Sequence, residues 1–216
     1  SFHNEGGGAL LQDGVLPKPS RGEQVEIGMK AMLLDNRIEV ALAAFDLTKT
    51  NVIVGDPNDF SRVIQTGELS SRGVEAEISA RPMDAWTVVA SFGYADATIE
   101  KDTNQFIVGN RMAGVPHQQA SLWTSWVFPE GLLEGLMVGG GVFYAGEQAA
   151  TTSNNFYLPS YTRVDLNASY VLGNGYEVRV NLDNVTDEKI YITGGFSQIY
   201  PQAPRSARVT FTKRWR

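Results

Sequence analysis

Hydrophobic and polar residues alternate along this chain with a period of two, the signature of β-strands that present opposite faces to different surroundings. In Tyr176-Glu-Val-Arg-Val-Asn-Leu-Asp183 the even positions are apolar and the odd ones polar. Residues 163–170 repeat the pattern, with Val164, Leu166, Ala168 and Tyr170 set against Arg163, Asp165, Asn167 and Ser169. The tail does the same: Ala207, Val209, Phe211 and Trp215 oppose Ser206, Arg208, Thr210 and Thr212. Windows 25–33, 38–44, 74–81, 86–94 and 136–144 follow suit, while i, i+3, i+4, i+7 stripes are scarce. The expected fold class is all-β.

Turn chemistry divides the chain into nine expected strands, near 21–34, 37–54, 60–81, 85–101, 117–128, 135–148, 161–172, 176–192 and 205–216. Their connections alternate. Asp35-Asn36, Pro82-Met83-Asp84, Pro129 to Glu134 and Gly173-Asn174-Gly175 are short. Segments 3–20, 102–116, 149–160 and 193–204 are long, and 55–59 is the brief exception. Such alternation describes consecutive antiparallel hairpins with turns at one end and loops at the other. Strands of 12 to 22 residues are too long for a Greek-key sandwich, whereas outer-membrane barrels show this asymmetry of turns and loops.

Composition narrows the chemistry. The 216 residues carry 18 Lys+Arg against 24 Asp+Glu, a formal charge of -6, which disfavours nucleic acid as a partner. No Cys is present, so disulfides, zinc fingers and thiol nucleophiles are excluded. Two histidines, His3 and His117, leave little for His-based metal or triad chemistry. No apolar run reaches the 18 residues of a membrane helix, a test to which β-barrels are blind. Gly6-Gly7-Gly8 and Gly139-Gly140-Gly141 lack a phosphate-loop lysine, and the second triplet reads as space for a bulky neighbour or for a plug inside a barrel. Asp56-Pro57-Asn58-Asp59 reads as a turn before it reads as a Ca²⁺ ligand set. No constellation supplies a nucleophile and base, so no enzymatic activity is expected.

Alternation alone does not say which face meets lipid. Trp86, Trp126, Tyr170 and Trp215 sit toward strand ends, where a membrane barrel carries its aromatic girdles. The competing expectation is a soluble or surface β-sandwich whose aromatics pack a core. Nine strands are an odd number for closure, and open edges are prohibitive in lipid. Ser1-Phe2 reads as the end of a preceding strand, so residues 1–216 are expected to be one portion of a larger barrel.

Seven stretches in order carry a resemblance: Lys18 to Lys30 (KPSRGEQVEIGMK), Ala44 to Val52 (AFDLTKTNV), Gln65 to Glu77 (QTGELSSRGVEAE), Gly109 to Pro116 (GNRMAGVP), Leu158 to Asp165 (LPSYTRVD), Asn181 to Tyr191 (NLDNVTDEKIY) and Pro204 to Arg208 (PRSAR). Together they resemble the TonB-dependent outer-membrane receptors, especially the ferric-siderophore branch. The resemblance implies an antiparallel up-and-down transmembrane barrel of 22 strands, of which these nine would be the C-terminal ones. It also implies a plug domain and TonB box, absent from these residues, through which TonB in the inner membrane drives import. Family members usually end on an aromatic residue, whereas here Arg216 follows Trp215.

Site expectations follow from that resemblance. Arg72, Glu75 and Glu77 are expected to face a polar lumen, where ion pairs dock the plug or neutralise one another. Arg163, Asp165, Asn181 and Asp183 form a second lumen-side cluster, and Asn184-Val-Thr-Asp187 a local turn that bends its strand. A ferric siderophore would be held in the loops by aromatics and arginine: Phe106, Arg111, Phe156, Tyr157, Tyr191, Phe196 and Tyr200. Iron arrives as cargo within the chelate, so the chain needs no cofactor, and His117 reads as a strand-start polar group. Outer-membrane lipid and lipopolysaccharide are the expected surroundings; cobalamin, haem or a glycan are the alternative cargoes.

Overall fold

The computed structural model describes residues 17–56, 58–173, 175–194 and 198–215. Phe196, the 1–16 segment with Ser1-Phe2, His3 and the first glycine triplet, Pro57, Asn174 and Arg216 lie outside the described residues. The strands are β1 (Arg21–Leu33), β2 (Ile38–Asp56), β3 (Asp59–Met83), β4 (Trp86–Lys101), β5 (Gln118–Val127), β6 (Met137–Ala145), β7 (Gln148–Ala149), β8 (Tyr157–Leu158), β9 (Tyr161–Gly173), β10 (Tyr176–Asp183), β11 (Tyr191–Gly194), β12 (Gln198–Pro201) and β13 (Ser206–Lys213). Nine of them form one antiparallel sheet in the order β1-β2-β3-β4-β5-β6-β9-β10-β13. Each neighbour pair is consecutive in the chain once the two small hairpins, β7–β8 and β11–β12, are set aside. Among the described residues there is no helix.

The register assigns every side chain to a face. From β1 to β13, the partners Met29↔Leu42, Leu42↔Ala76, Ala76↔Phe92, Phe92↔Ala120 and Ala120↔Tyr144 keep one face apolar. Val142↔Val164, Leu182↔Leu166 and Val180↔Val209 carry it to the far edge. On the opposite face stand Glu26, Lys30, Glu75, Glu77, Ser91, Gln119, Arg163, Asp165, Arg179, Asn181 and Asp183.

Among the described residues no second layer covers the apolar face. Val74 is 47% exposed, Phe92 45% and Leu122 47%, although all three lie mid-strand in the sheet. The buried apolar residues are few and cluster toward the loops: Ala97, Ile99, Ala145, Ala149, Ala150, Leu158 and Ile190 among them. A water-soluble domain packs at least two layers around one core, which this sheet does not do. It fits a barrel wall with lipid on its apolar side and a polar lumen on the other. The competing β-sandwich has no counterpart among the described residues.

Two strand expectations are corrected. The expected strand 176–192 ends at Asp183, because Asn184 adopts a left-handed φ of 54° and diverts the chain into the β11–β12 hairpin. The last strand ends at Lys213, leaving Trp215 beyond it.

Candidate functional site

On the lumen face, β3, β4, β5, β6 and β9 line a hollow of about 510 Å³ whose polar groups include Glu75, Glu77, His117, Gln119, Tyr161 and Arg163. Beside it, on the turn side of Phe143, lies the second glycine triplet. A Cβ on Gly141 would lie 2.3 Å from Cε3 of Trp123, so the indole lies directly over the glycine. Trp123 in turn tilts against Phe143, with ring centroids 6.4 Å apart, and the Arg163 guanidinium lies 4.9 Å from the Phe143 ring centre. Arg163 also pairs with Asp165 at 3.0 Å. The bulky neighbour of Gly141 is therefore Trp123, an inward residue singled out by no motif but by its odd position in β5, while Gly140 lies against Leu166 and Gly139 against Asn167.

Asp165 is buried and reaches the end of the neighbouring strand: its Oδ1 accepts from the Asn184 N–H at 2.8 Å. The Asn184 side chain, 2% exposed, donates to Glu188 O and accepts from Glu188 N, both at 2.9 Å. Asp187 then accepts from the Arg205 N–H at 2.9 Å, pinning the return of the chain into β13. This explains why aspartate and asparagine recur in 181–187: short side chains substitute for strand partners where the ladder stops. Asp183 lies 3.9 Å from Arg208, and Asn181 stands between Asn167 and Arg208 in register. Glu177, near the turn, pairs with Arg179 at 2.8 Å and Arg214 at 3.1 Å.

Arg72 is a correction. It is paired in register with Asp46 and Asp96 on the face of Val74 and Ile78, opposite to Glu75 and Glu77. Even and odd positions of one strand point apart, so it does not join those carboxylates. The Asp46–Arg72–Asp96 row instead marks where the apolar outer face turns polar at the loop end. At the turn end, Trp86 and Trp126 are direct cross-strand partners on the same outer face, and Trp86 Nε1 donates to Thr124 Oγ1 at 2.8 Å. Eight residue steps from Trp86 to Tyr94 give ~27 Å along the strand, or ~21 Å along the normal at a ~40° tilt, close to the height of a barrel's apolar band. Tyr170 shares that outer face with Phe211. Trp215, 86% exposed, stands outside the ladder, with Lys213 Nζ 5.4 Å from its ring centre and 3.8 Å from that of Tyr176.

At the loop end, three long connections interlock. Asn154, in a left-handed turn with φ 52°, accepts from the Arg111 N–H at 2.8 Å and donates to Arg111 O at 2.9 Å. Asn110 Nδ2 donates to Thr152 O at 2.9 Å, and Gly114 N to Ala149 O at 2.9 Å. Thr193 Oγ1, on β11, donates to Ala150 O at 2.9 Å, tying the third loop to the second. Beneath these bonds Ala149, Ala150, Leu158 and Ile190 are buried. Asn154 carried no signal in the sequence for joining two loops, because its partner across them, Arg111, lies 43 residues away.

Two expected ligand residues are engaged in that interlock. Arg111 donates from Nη2 to Glu147 O at 3.2 Å and lies 5.8 Å from the centre of the Tyr157 ring. The other described aromatics remain available: Phe106 is 94% exposed, and Phe156, Tyr191 and Tyr200 are each exposed by more than a third. Tyr200 bonds locally through its hydroxyl to Gln198 Oε1. His117 stacks on Tyr94, ring centroids 5.6 Å apart at 8°, with Nδ1 3.0 Å from Ala95 O, as suits a group at the start of β5.

Comparison with known proteins agrees with this geometry. Residues 4–185 match the family model described as TonB dependent receptor-like, beta-barrel. The chain is 34% identical over 215 residues to the metal-pseudopaline receptor CntO of Pseudomonas aeruginosa, covering 98% of this chain and 30% of the relative. It is 36% identical over 190 residues to the ferrichrome outer membrane transporter/phage receptor of Escherichia coli, covering 86% of this chain and 25% of the relative. Its fold superimposes on P. aeruginosa FpvA bound to heterologous pyoverdines with a TM-score of 0.77 at 26% identity, over 97% of this chain and 29% of that one. The chain thus spans less than a third of the length of these relatives. A single-layered sheet with an apolar outer face and a polar inner one, matched along its length, makes this chain a member of the TonB-dependent receptor β-barrel family, whose members are outer-membrane proteins.

Proposed function

We propose that the protein to which this chain belongs binds a ferric siderophore at the cell surface and imports it in a TonB-dependent manner. In this reading residues 1–216 are the last nine strands of a 22-strand barrel, and a plug and TonB box elsewhere in the protein couple it to TonB. The chain performs no covalent chemistry and holds no cofactor of its own, since iron travels inside the chelate. The observation that carries the reading is the loop cluster. Three interlocked loops leave Phe106, Phe156, Tyr191 and Tyr200 exposed at the loop end on a hydrogen-bonded base. Rigidly based aromatics are suited to stacking on the planar groups of a chelate. Arg111 and Tyr157 position the loops in this reading, rather than touching the ligand.

The test is uptake by the complete receptor in a strain lacking its own siderophore receptors. Radiolabelled iron should enter with at least one hydroxamate, catecholate or mixed siderophore, and Phe106→Ala with Phe156→Ala should weaken binding severalfold without lowering receptor abundance. Absence of uptake with every ferric chelate would reject the reading. A second reading is a chelate of another metal, which the relationship to a metal-pseudopaline receptor favours. Uptake of nickel, cobalt or zinc as chelates, with none of iron, would select it.

A further inference from the structure

The connection between β5 and β6, residues 128–136, differs from the other short turns of the described chain. The 34–37 turn carries a single apolar side chain, Leu34, 69% exposed, beside Asp35, Asn36 and Arg37, and is tied to the 84–85 turn, with Arg37 Nη1 3.0 Å from Asp84 Oδ1. Residues 128–136 read Phe-Pro-Glu-Gly-Leu-Leu-Glu-Gly-Leu, and at their tip Leu132 is 99% and Leu133 47% exposed.

We propose that this turn docks on the phospholipid of the inner leaflet, with Leu132 and Leu133 inserted at the headgroup boundary. Short turns of outer-membrane barrels face the periplasm, so this end of the sheet meets the phospholipid leaflet. Three observations place the turn against it. The outer-face pair Trp126↔Val138 is followed by a closing pair, in which Phe128 N donates to Leu136 O and Gly135 N to Phe128 O, both at 2.9 Å. Phe128 and Leu136 thereby continue the outward alternation of Trp126 and Val138. A Cβ on Gly135 would lie 4.0 Å from Cε2 of Tyr170, an outer-face ring, which sets the turn beside the lipid-facing side of the wall. Finally, Glu134 N donates to Gly131 O at 3.2 Å and Leu136 N to Leu133 O at 2.9 Å, so the tip is a compact hydrogen-bonded turn. Its own backbone bonds reduce the cost of entering an interface where unpaired groups are penalised. The apolar surface is thus continuous from an established lipid contact onto the turn, as in interfacial anchors.

The experiment uses the full-length receptor in phospholipid nanodiscs, with Leu132→Cys, Leu133→Cys or Asn36→Cys variants carrying bimane. Folding of each is checked by its heat-dependent mobility in SDS. The labels at 132 and 133 are expected to be quenched at least twofold more by shallow doxyl phospholipid than the label at 36. They should be at least twofold less accessible to iodide. Equal behaviour of the three positions would overturn the proposal. So would shielding of 132 and 133 from both quenchers, which would mean protein cover in place of lipid.

Discussion

Replacing Asn154 by alanine should release the 102–116 and 149–160 loops from one another while leaving the barrel wall intact. The side chain makes two bonds to the Arg111 backbone, at 2.8 and 2.9 Å, and a third to Thr151 O at 3.1 Å. At ~1 kcal/mol net for each, their loss costs ~3 kcal/mol, somewhat less where water reaches the freed groups. The residue also holds φ at 52°, and alanine there adds about 1 kcal/mol that asparagine largely avoids. The total, ~3–4 kcal/mol, corresponds to a drop of roughly 10²–10³-fold in the protection of amides that exchange by loop opening. Hydrogen exchange of the full receptor, followed by mass spectrometry, reads this directly. Peptides covering 106–114 and 148–156 should lose protection together, while those of β4 and β9 within the wall stay unchanged. Asn154→Gly separates the contributions, because it removes the bonds and relieves the backbone; it should lose about fivefold less protection than alanine. If protection falls at 151–155 alone, Asn154 does not join the loops and the reasoning fails.

The other expectations are as direct. Gly141→Val should destabilise the folded receptor by ~1–3 kcal/mol through overlap with Trp123, whereas Gly93→Ala, with nothing within 4 Å of the new methyl, should be neutral. Urea titration in lipid vesicles measures both; equal midpoints would dismiss the packing of Trp123 on Gly141. Leu122→Arg, on the outer face, should cost ~2–4 kcal/mol in the same assay, and its neighbour Ser121→Arg, on the inner face, far less. A reversed order would invert the assignment of faces. Asn184→Ala should cost ~2–4 kcal/mol, from two lost bonds to Glu188 and a left-handed φ, and should make the 184–205 segment sensitive to limited proteolysis at unchanged β9 protection. Protease resistance equal to the parent would rule it out as the anchor of that loop.

Much of the wall was legible because its physics is local. The alternation at 163–170 and 176–183 reports two solvents, and the structure follows it residue for residue in β9 and β10. Parity also contained the facing of Arg72. An even position in β3 belongs with Val74, and proximity in sequence to Glu75 obscured it. The end of β10 was harder, since Ile190, Tyr191 and Ile192 look like a continuation of the strand. A buried asparagine in a left-handed turn ends it, and its partners Asp165 and Glu188 lie outside any alternating window. The loop cluster was largely illegible. Arg111 and Tyr157 carried the right chemistry for a chelate, but their contacts with Glu147, Asn154 and each other depend on which loops the sheet brings together.

The same two-faced wall protects its own alignment. A slip of β3 by one residue against β2 would turn Glu75 and Glu77 out among hydrocarbon chains and bring Val74 and Ile78 into the lumen. A like slip of β9 would expose Arg163, whose charge alone costs up to about 2–4 kcal/mol at the midplane of the bilayer. Misaligned hairpins are thus rejected by the membrane during insertion, strand by strand, before the wall is complete. Fidelity of assembly here needs no special turn sequence; it is written into the difference between oil and water on the two sides of one layer.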